Sequence, residues 1–232
     1  FNSQMINVLN RWQWEYERPS TELPYGIDLS QATLQGFESI ELSRGSYNYS
    51  GVAYSYGPSA IYLTAAQYAG LSTLSGGNFV IKGGGTVNLN AVTLASGATV
   101  SVMGDEAYTL TGTAASETLT TNGGNDSIVA GDGKDTISGG AGQDSIAAGA
   151  GDDVIIISNK SNVTDVINGA EGTDTLRITG SDVDLSNANL TSIEKLEANS
   201  ASLALTQAQY DQLNDGDWQT SLAALQFSAA WY

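Results

Sequence analysis

Aspartates 126, 135, 144 and 153 recur every nine residues, each with a glycine two places before it (Gly124, Gly133, Gly142, Gly151) and an isoleucine two places after it (Ile128, Ile137, Ile146, Ile155). Carboxylates set among glycine-rich backbone offer a donor set made only of oxygen, which suits a hard cation. The chain has no cysteine or histidine in 232 residues. That excludes disulfides, thiolate zinc sites, Cys/His nucleophile pairs and a Ser-His-Asp triad. With 25 acidic against 8 basic residues and a formal charge of −17, binding to nucleic acid or an anionic membrane would work against Coulomb repulsion. The expected partner is a cation. Solubility alone would explain acids, but it needs no nine-residue register.

The elements that position such a row are short strands. Asn78–Lys82, Thr86–Asn90, Thr99–Met103 and Tyr108–Thr111 alternate or are rich in β-branched residues between glycine, serine and asparagine clusters, while helical periodicity is scarce. Four clear nonapeptides run Thr121–Val129, Ala130–Ser138, Gly139–Ala147 and Ala148–Ile156. A weaker copy precedes them with Glu117 and Leu119. After a three-residue insertion near Ser158 come Asp165 with Ile167, then Gly172, Asp174 and Leu176. Six residues of turn and three of strand make half a coil, so two nonapeptides close one coil of 18 and stack Asp126 on Asp144 and Asp135 on Asp153. Strands lie about 4.8 Å apart, and carboxylates about 5 Å apart repel by roughly 3 kcal/mol at an effective dielectric near 20. A divalent cation offsets that repulsion. Calcium suits a flexible all-oxygen shell better than zinc does. The isoleucines point inward as a thin aliphatic ladder.

The nonapeptides resemble the RTX repeats of bacterial type I secreted proteins, with consensus G-G-x-G-x-D-x-U-x, a calcium-binding β-helix repeat. Gly139–Ala147 matches every defined slot; Thr121, Ala130 and Ala148 replace the first glycine, and Glu117 replaces an aspartate. The resemblance implies an all-β fold, a parallel β-roll or β-helix solenoid with calcium-binding turns. It implies that Asp126, Asp135, Asp144 and Asp153 bind Ca2+ by their side chains, with carbonyls of turn residues including Gly124, Gly131, Gly133, Gly139, Gly140, Gly142, Gly149 and Gly151 completing the shells. Asp165 and Asp174 fit the pattern with less glycine around them, whereas Asp132 and Asp152 read as solvated. It further implies a non-catalytic module at the C-terminal end of an exported bacterial adhesin, surface-layer protein or toxin. Such a module meets the type I secretion machinery and folds on calcium outside the cell.

A second, longer repeat flanks this centre. Asp28-Leu-Ser-Gln-Ala-Thr-Leu with Glu38 and Glu41 matches Asp184-Leu-Ser-Asn-Ala-Asn-Leu with Glu194 and Glu197. Leu63–Leu71 likewise matches Leu205–Leu213. These cassettes are expected to cap the solenoid, with Thr64 and Thr206 as helix N-caps and the glutamate pairs in an architectural role. The first cassette is 14 residues longer around Ser46 to Pro58. There Tyr47 and Tyr49, and likewise Tyr54 and Tyr56, share a face of an extended strand. Such a face serves sugar stacking, a protein interface or self-association, or simply cross-strand packing. Trp12, Trp14 and Tyr16 alternate and suit the N-terminal edge. Residues 218–232 hold no charge, in keeping with an export signal or a closing strand or helix. The expected divisions are 1–111, 112–177 and 178–232. No apolar run reaches the length of a membrane span, and Phe1 opens no signal peptide, so the chain reads as a processed piece of something longer. Paired carboxylates leave a β-helix polysaccharide-active enzyme as an alternative, although little here would neutralise a uronate.

Overall fold

The computed structural model describes residues 4–8, 26–34, 37–42, 45–49, 52–56, 60–95, 99–158, 163–198, 202–213, 219–220 and 225–227. Trp12, Trp14, Tyr16 and most of 218–232 lie outside them. Contacts divide the chain into two units, one of residues 1–84 and 91–103, the other of 85–90 and 104–232.

In the second unit two six-stranded parallel sheets run side by side. One takes Gly85–Asn88, Tyr108–Thr111, Ser127–Asp132, Ser145–Ala150, Val166–Glu171 and Asn189–Thr191 in that order. The other takes Thr118–Thr120, Thr136–Ser138, Val154–Ile157, Thr175–Ile178, Lys195–Ala198 and Gln219–Thr220. The chain alternates between them, so successive strands of one sheet are one coil apart. Ile128 pairs with Ile146 and Ile137 with Ile155, the 18-residue coil of the sequence. Past Ser158 the register moves to Ile146 on Ile167 and Ile155 on Leu176, so the insertion lies between strands and the aliphatic positions stay aligned. Val87, Leu110, Ile128, Ile146, Ile167 and Leu190 line one wall; Leu119, Ile137, Ile155, Leu176 and Leu196 line the other. None is more than 5% exposed. Burying each contributes roughly 1.5–3 kcal/mol. The strands are unequal: Ser127–Asp132 and Ser145–Ala150 run to six residues because pairing continues into the turn, Gly131 on Gly149.

The first unit repeats the scheme. Gln4–Val8, Phe37–Leu42, Thr73–Ser75 and Thr93–Ala95 form one parallel sheet, and Thr99–Met103, Asn78–Lys82, Ala60–Thr64 and Gly26–Asp28 another. Ile40, Ile61, Leu63, Leu74, Phe79 and Ile81 fill its interior. The strands expected at Asn78–Lys82, Thr99–Met103 and Tyr108–Thr111 form with those bounds; Thr86–Asn90 ends early, because Leu89–Ala91 winds into a 3₁₀ turn.

The cassettes are one structure used twice. In each, the carboxylate of the first aspartate accepts the N–H two residues on, Ser30 to Asp28 and Ser186 to Asp184, both 2.9 Å. In each, a threonine caps a short helix, Ala65–Ala69 or Gln207–Leu213. The glutamine three residues after that threonine does two jobs. Gln67 Oε1 accepts the Thr64 N–H at 2.8 Å, and its Nε2 donates to the Leu29 and Ala32 carbonyls, both 2.7 Å. Gln209 repeats this with Thr206 at 2.8 Å, Leu185 at 2.7 Å and Ala188 at 2.9 Å. A capping box is thus joined to a clamp on the preceding loop. The second cassette does more than cover an end, because its strands Asn189–Thr191 and Lys195–Ala198 extend both sheets in register.

Gln209→Ala removes that clamp, which takes the side-chain donor from the buried Ala188 carbonyl and leaves the Leu185 carbonyl only the Ala188 N–H at 2.9 Å. The expected loss is about 2–3 kcal/mol, read by urea denaturation, while Gln207→Ala on the exposed face costs under about 0.5 kcal/mol.

Candidate metal centre

The repeat acids stand in two rows, one at the entrance to each sheet. Asp126, Asp144 and Asp165 form the first; Asp135, Asp153 and Asp174 form the second. All six are at most 2% exposed. Ionised carboxylates buried to this degree need charge or hydrogen-bond compensation. Half of it is visible in the backbone. The N–H of each acid donates to Oδ1 of the acid one coil on: Asp126 to Asp144 and Asp144 to Asp165 at 3.0 Å, Asp135 to Asp153 at 2.8 Å, Asp153 to Asp174 at 2.9 Å. Tyr108 gives its N–H to Asp126 at 2.7 Å and Glu117 gives its own to Asp135 at 2.8 Å. Tyr108 therefore occupies an acid's place, buried at the start of the first row.

At four of the six the other half is missing. Oδ2 of Asp126, Asp135, Asp153 and Asp174 is buried with no hydrogen-bond partner. A buried carboxylate oxygen left so costs about 1–3 kcal/mol or more, and nothing in the aliphatic interior compensates it. Asp144 Oδ2 stands 2.5 Å from the point a Cβ on Gly139 would occupy, so the glycine opening a turn makes room for the acid closing it. Glycine is required one step further on as well. Gly142 and Gly151 have φ of 124° and 136°, and a Cβ on either would overlap the carbonyl oxygen of Gly124 or Gly133 one coil earlier. The turns thereby bring the backbone of one coil close against a carbonyl oxygen of the coil before. Gly131, Gly140 and Gly149 repeat this against the carbonyls of Thr113, Asn122 and Gly131. Where Thr121 replaces a first glycine, its hydroxyl donates to the Gly139 carbonyl at 2.8 Å. No three acidic side chains converge among the described residues, so a cation here draws most of its shell from carbonyls. A hard, oxygen-seeking ion fits that set, and calcium tolerates its irregularity.

Other residues hold the turns in place that the acid spacing does not reveal. The residue before three of the acids, Glu117, Asp126 and Asp153, accepts the N–H of its counterpart one coil later: Ser116 from Lys134 at 2.9 Å, Asn125 from Gln143 at 2.9 Å, Asp152 from Thr173 at 3.2 Å. A short polar acceptor in that slot was the available signal. Asp152 is exposed and pairs with Lys134 Nζ at 2.6 Å, which lowers its pKa, and Asp132 is exposed. At the far end Glu194 Oε2 accepts the Asp174 N–H at 2.8 Å, so this cassette glutamate terminates the second row. Its neighbour Glu197 pairs with Arg177 Nε at 2.6 Å. Tyr47, Tyr49, Tyr54 and Tyr56 are remote in sequence from the rows. They lie on an antiparallel hairpin, Gly45–Tyr49 with Val52–Tyr56, whose register sets position 47 against 54 and 49 against 52.

Burial, first, and repulsion from neighbouring acids raise the pKa of Asp135 against the pull of the Glu117 N–H, and burial raises that of Asp153. Asp174 is pushed up to about 6, by burial first. A carboxylate raised in the folded state penalises folding when ionised; the penalty is absent below its unfolded pKa near 3.8 and fully present above about 6. Calcium-free protein is therefore expected to gain stability as pH falls from about 7 to about 5, while calcium binding weakens over the same range. The β signal of calcium-free protein and calcium titrations at the two pH values check this; a calcium-free β signal that falls on acidification contradicts it.

The family model for the RTX calcium-binding nonapeptide repeat matches four copies, over residues 111–146 and 130–156. The chain matches no curated protein and no solved structure. The matched residues are those that build the two rows through Asp153, with Asp165, Asp174 and Glu194 carrying the rows past the match. Residues 111–156 thus carry RTX calcium-binding nonapeptide repeats, and the chain folds there as a parallel β-roll.

Proposed function

We propose that this calcium-binding β-roll is the C-terminal, non-catalytic part of a type I secreted bacterial surface protein (an adhesin, surface-layer protein or toxin), and that it folds only when it meets calcium outside the cell. The observation that carries the reading is the set of four buried Oδ2 atoms without partners. A fold with charge buried in rows is held back until a cation arrives, because the ligands meet only in the coiled chain and binding energy becomes folding energy. Each site filled at ten times its dissociation constant adds about 1.4 kcal/mol. Among the described residues no helix is long and apolar enough to cross a membrane, in keeping with release from the cell. The ligands of this reading are Asp126, Asp135, Asp144, Asp153, Asp165 and Asp174 with the turn carbonyls. Residues 1–111 and 178–232 are its flanking regions and 112–177 its metal-binding core.

A second reading concerns the hairpin. Its register brings positions 47, 49, 54 and 56 into phase along two strands, and a row of tyrosines in phase suits stacking on the sugars of a cell surface.

Circular dichroism in excess chelator and then in millimolar calcium tests the main reading: the β signal and a cooperative melt are expected only with calcium. An identical spectrum and melting temperature in both would overturn it. Asp144→Ala, in the middle of its row, is expected to reduce the number of calcium ions bound. For the hairpin, replacing all four tyrosines with serine is expected to abolish binding to a glycan array with calcium affinity intact; unchanged glycan binding removes that reading.

A further inference from the structure

The two ends of the longer row are finished differently. At its start Glu117 turns its carboxylate back on its own turn: Oε2 accepts the Thr113 N–H at 2.9 Å, and Oε1 takes the Thr113 hydroxyl. Protein donors satisfy both oxygens. At the other end Asp174 is wholly buried. Its Oδ1 is taken by the Asp153 N–H at 2.9 Å, and its Oδ2 has no partner. That oxygen and the Ser192 carbonyl oxygen both crowd the point beside Gly169 that a Cβ would fill. Gly169 thus leaves a small space faced by a carboxylate oxygen and a carbonyl oxygen from consecutive coils.

Ser192 and Glu194 belong to the second cassette, well past the residues matched as nonapeptides. The turn keeps the nonapeptide form nonetheless. Glu194 takes the Asp174 N–H as each repeat acid takes its neighbour's. The backbone passes through left-handed φ at Ala170 (72°) and Ser192 (50°) without glycine at either, a conformation that side chains disfavour.

We propose that Asp174 Oδ2 and the Ser192 carbonyl, with the half-buried Glu194 carboxylate supplying further negative charge, form a calcium site joining the roll to the second cassette, and that the Glu117 end of the row holds none. The proposal rests on the reading that the nonapeptide rows bind calcium. Its consequence is that the second cassette's coil is ordered by calcium although its sequence carries no nonapeptide.

Calorimetric titration of the whole chain with calcium chloride tests it, using Asp174→Asn, which keeps the size of the side chain, and Glu117→Gln. Asp174→Asn is expected to bind one ion fewer than the unmodified chain and Glu117→Gln the same number. Calcium is expected to slow hydrogen exchange over residues 189–198 in the unmodified chain and in Glu117→Gln, but not in Asp174→Asn. Should Asp174→Asn fail to fold in calcium, Glu194→Gln serves instead, with a lowered affinity expected at a single site and the others unchanged. An undiminished ion count in Asp174→Asn, unaltered affinities in Glu194→Gln, or loss of an ion in Glu117→Gln overturns the proposal. An unmodified chain that binds no calcium overturns the reading beneath it.

Discussion

A hydrogen bond repeated once per coil in each of two rows decides how this protein is built: the backbone N–H of one acid to Oδ1 of the acid one coil on. It locks each carboxylate into the stack, ties the rotamer of one coil to the backbone of the next, and requires the acids to recur in strict register. Because only one oxygen is used, the same bond leaves Oδ2 buried at Asp126, Asp135, Asp153 and Asp174 without a donor. Backbone satisfaction and metal demand are therefore two halves of one arrangement. The glycines follow from it. With the Asp144 carboxylate against Gly139 and carbonyls of the preceding coil against Gly142 and Gly151, no room remains for a Cβ at any of the three.

The aliphatic ladder and the acid rows divide the labour. Ile128, Ile137, Ile146 and Ile155 exclude water from a narrow interior, and their burial sets which way each strand faces. An interior only one or two aliphatic residues wide on each wall, Ile155 with Ile157 and Leu176 with Ile178 at its widest, offers limited hydrophobic area, so the stack depends on what happens in its turns. There, stacked acids oppose the coil until a cation neutralises them. Metal-free and metal-bound stabilities must then differ widely.

The rows and the ladder could be read from the sequence because a nine-residue period maps directly onto half a coil, and an 18-residue coil onto strand pairing. Even the insertion near Ser158 was visible as a change of spacing, and the pairing of Asp144 with Asp165 absorbs it. Of the ends of the rows only Glu117 was visible, as the acid of a weaker copy. Tyr108 stands where an acid would, and Glu194 closes a row at a spacing of 20 from Asp174, which no nonapeptide count anticipates. The turn acceptors Ser116, Asn125 and Asp152 vary in type because any short polar oxygen suffices. Gln67 and Gln209 were apparent as repeated letters, but their clamp on loops more than 20 residues away depends on tertiary approach that local spacing does not encode.

The central claim is that the orphaned carboxylate oxygens mark where cations sit. Anomalous diffraction from crystals grown in calcium, or in a lanthanide of similar coordination chemistry, tests it most directly. The account predicts peaks in both rows within coordinating distance of Oδ2 of Asp126, Asp135 and Asp153. Peaks confined to exposed acids such as Asp132 and Asp152, with the buried Oδ2 atoms unliganded, would contradict it.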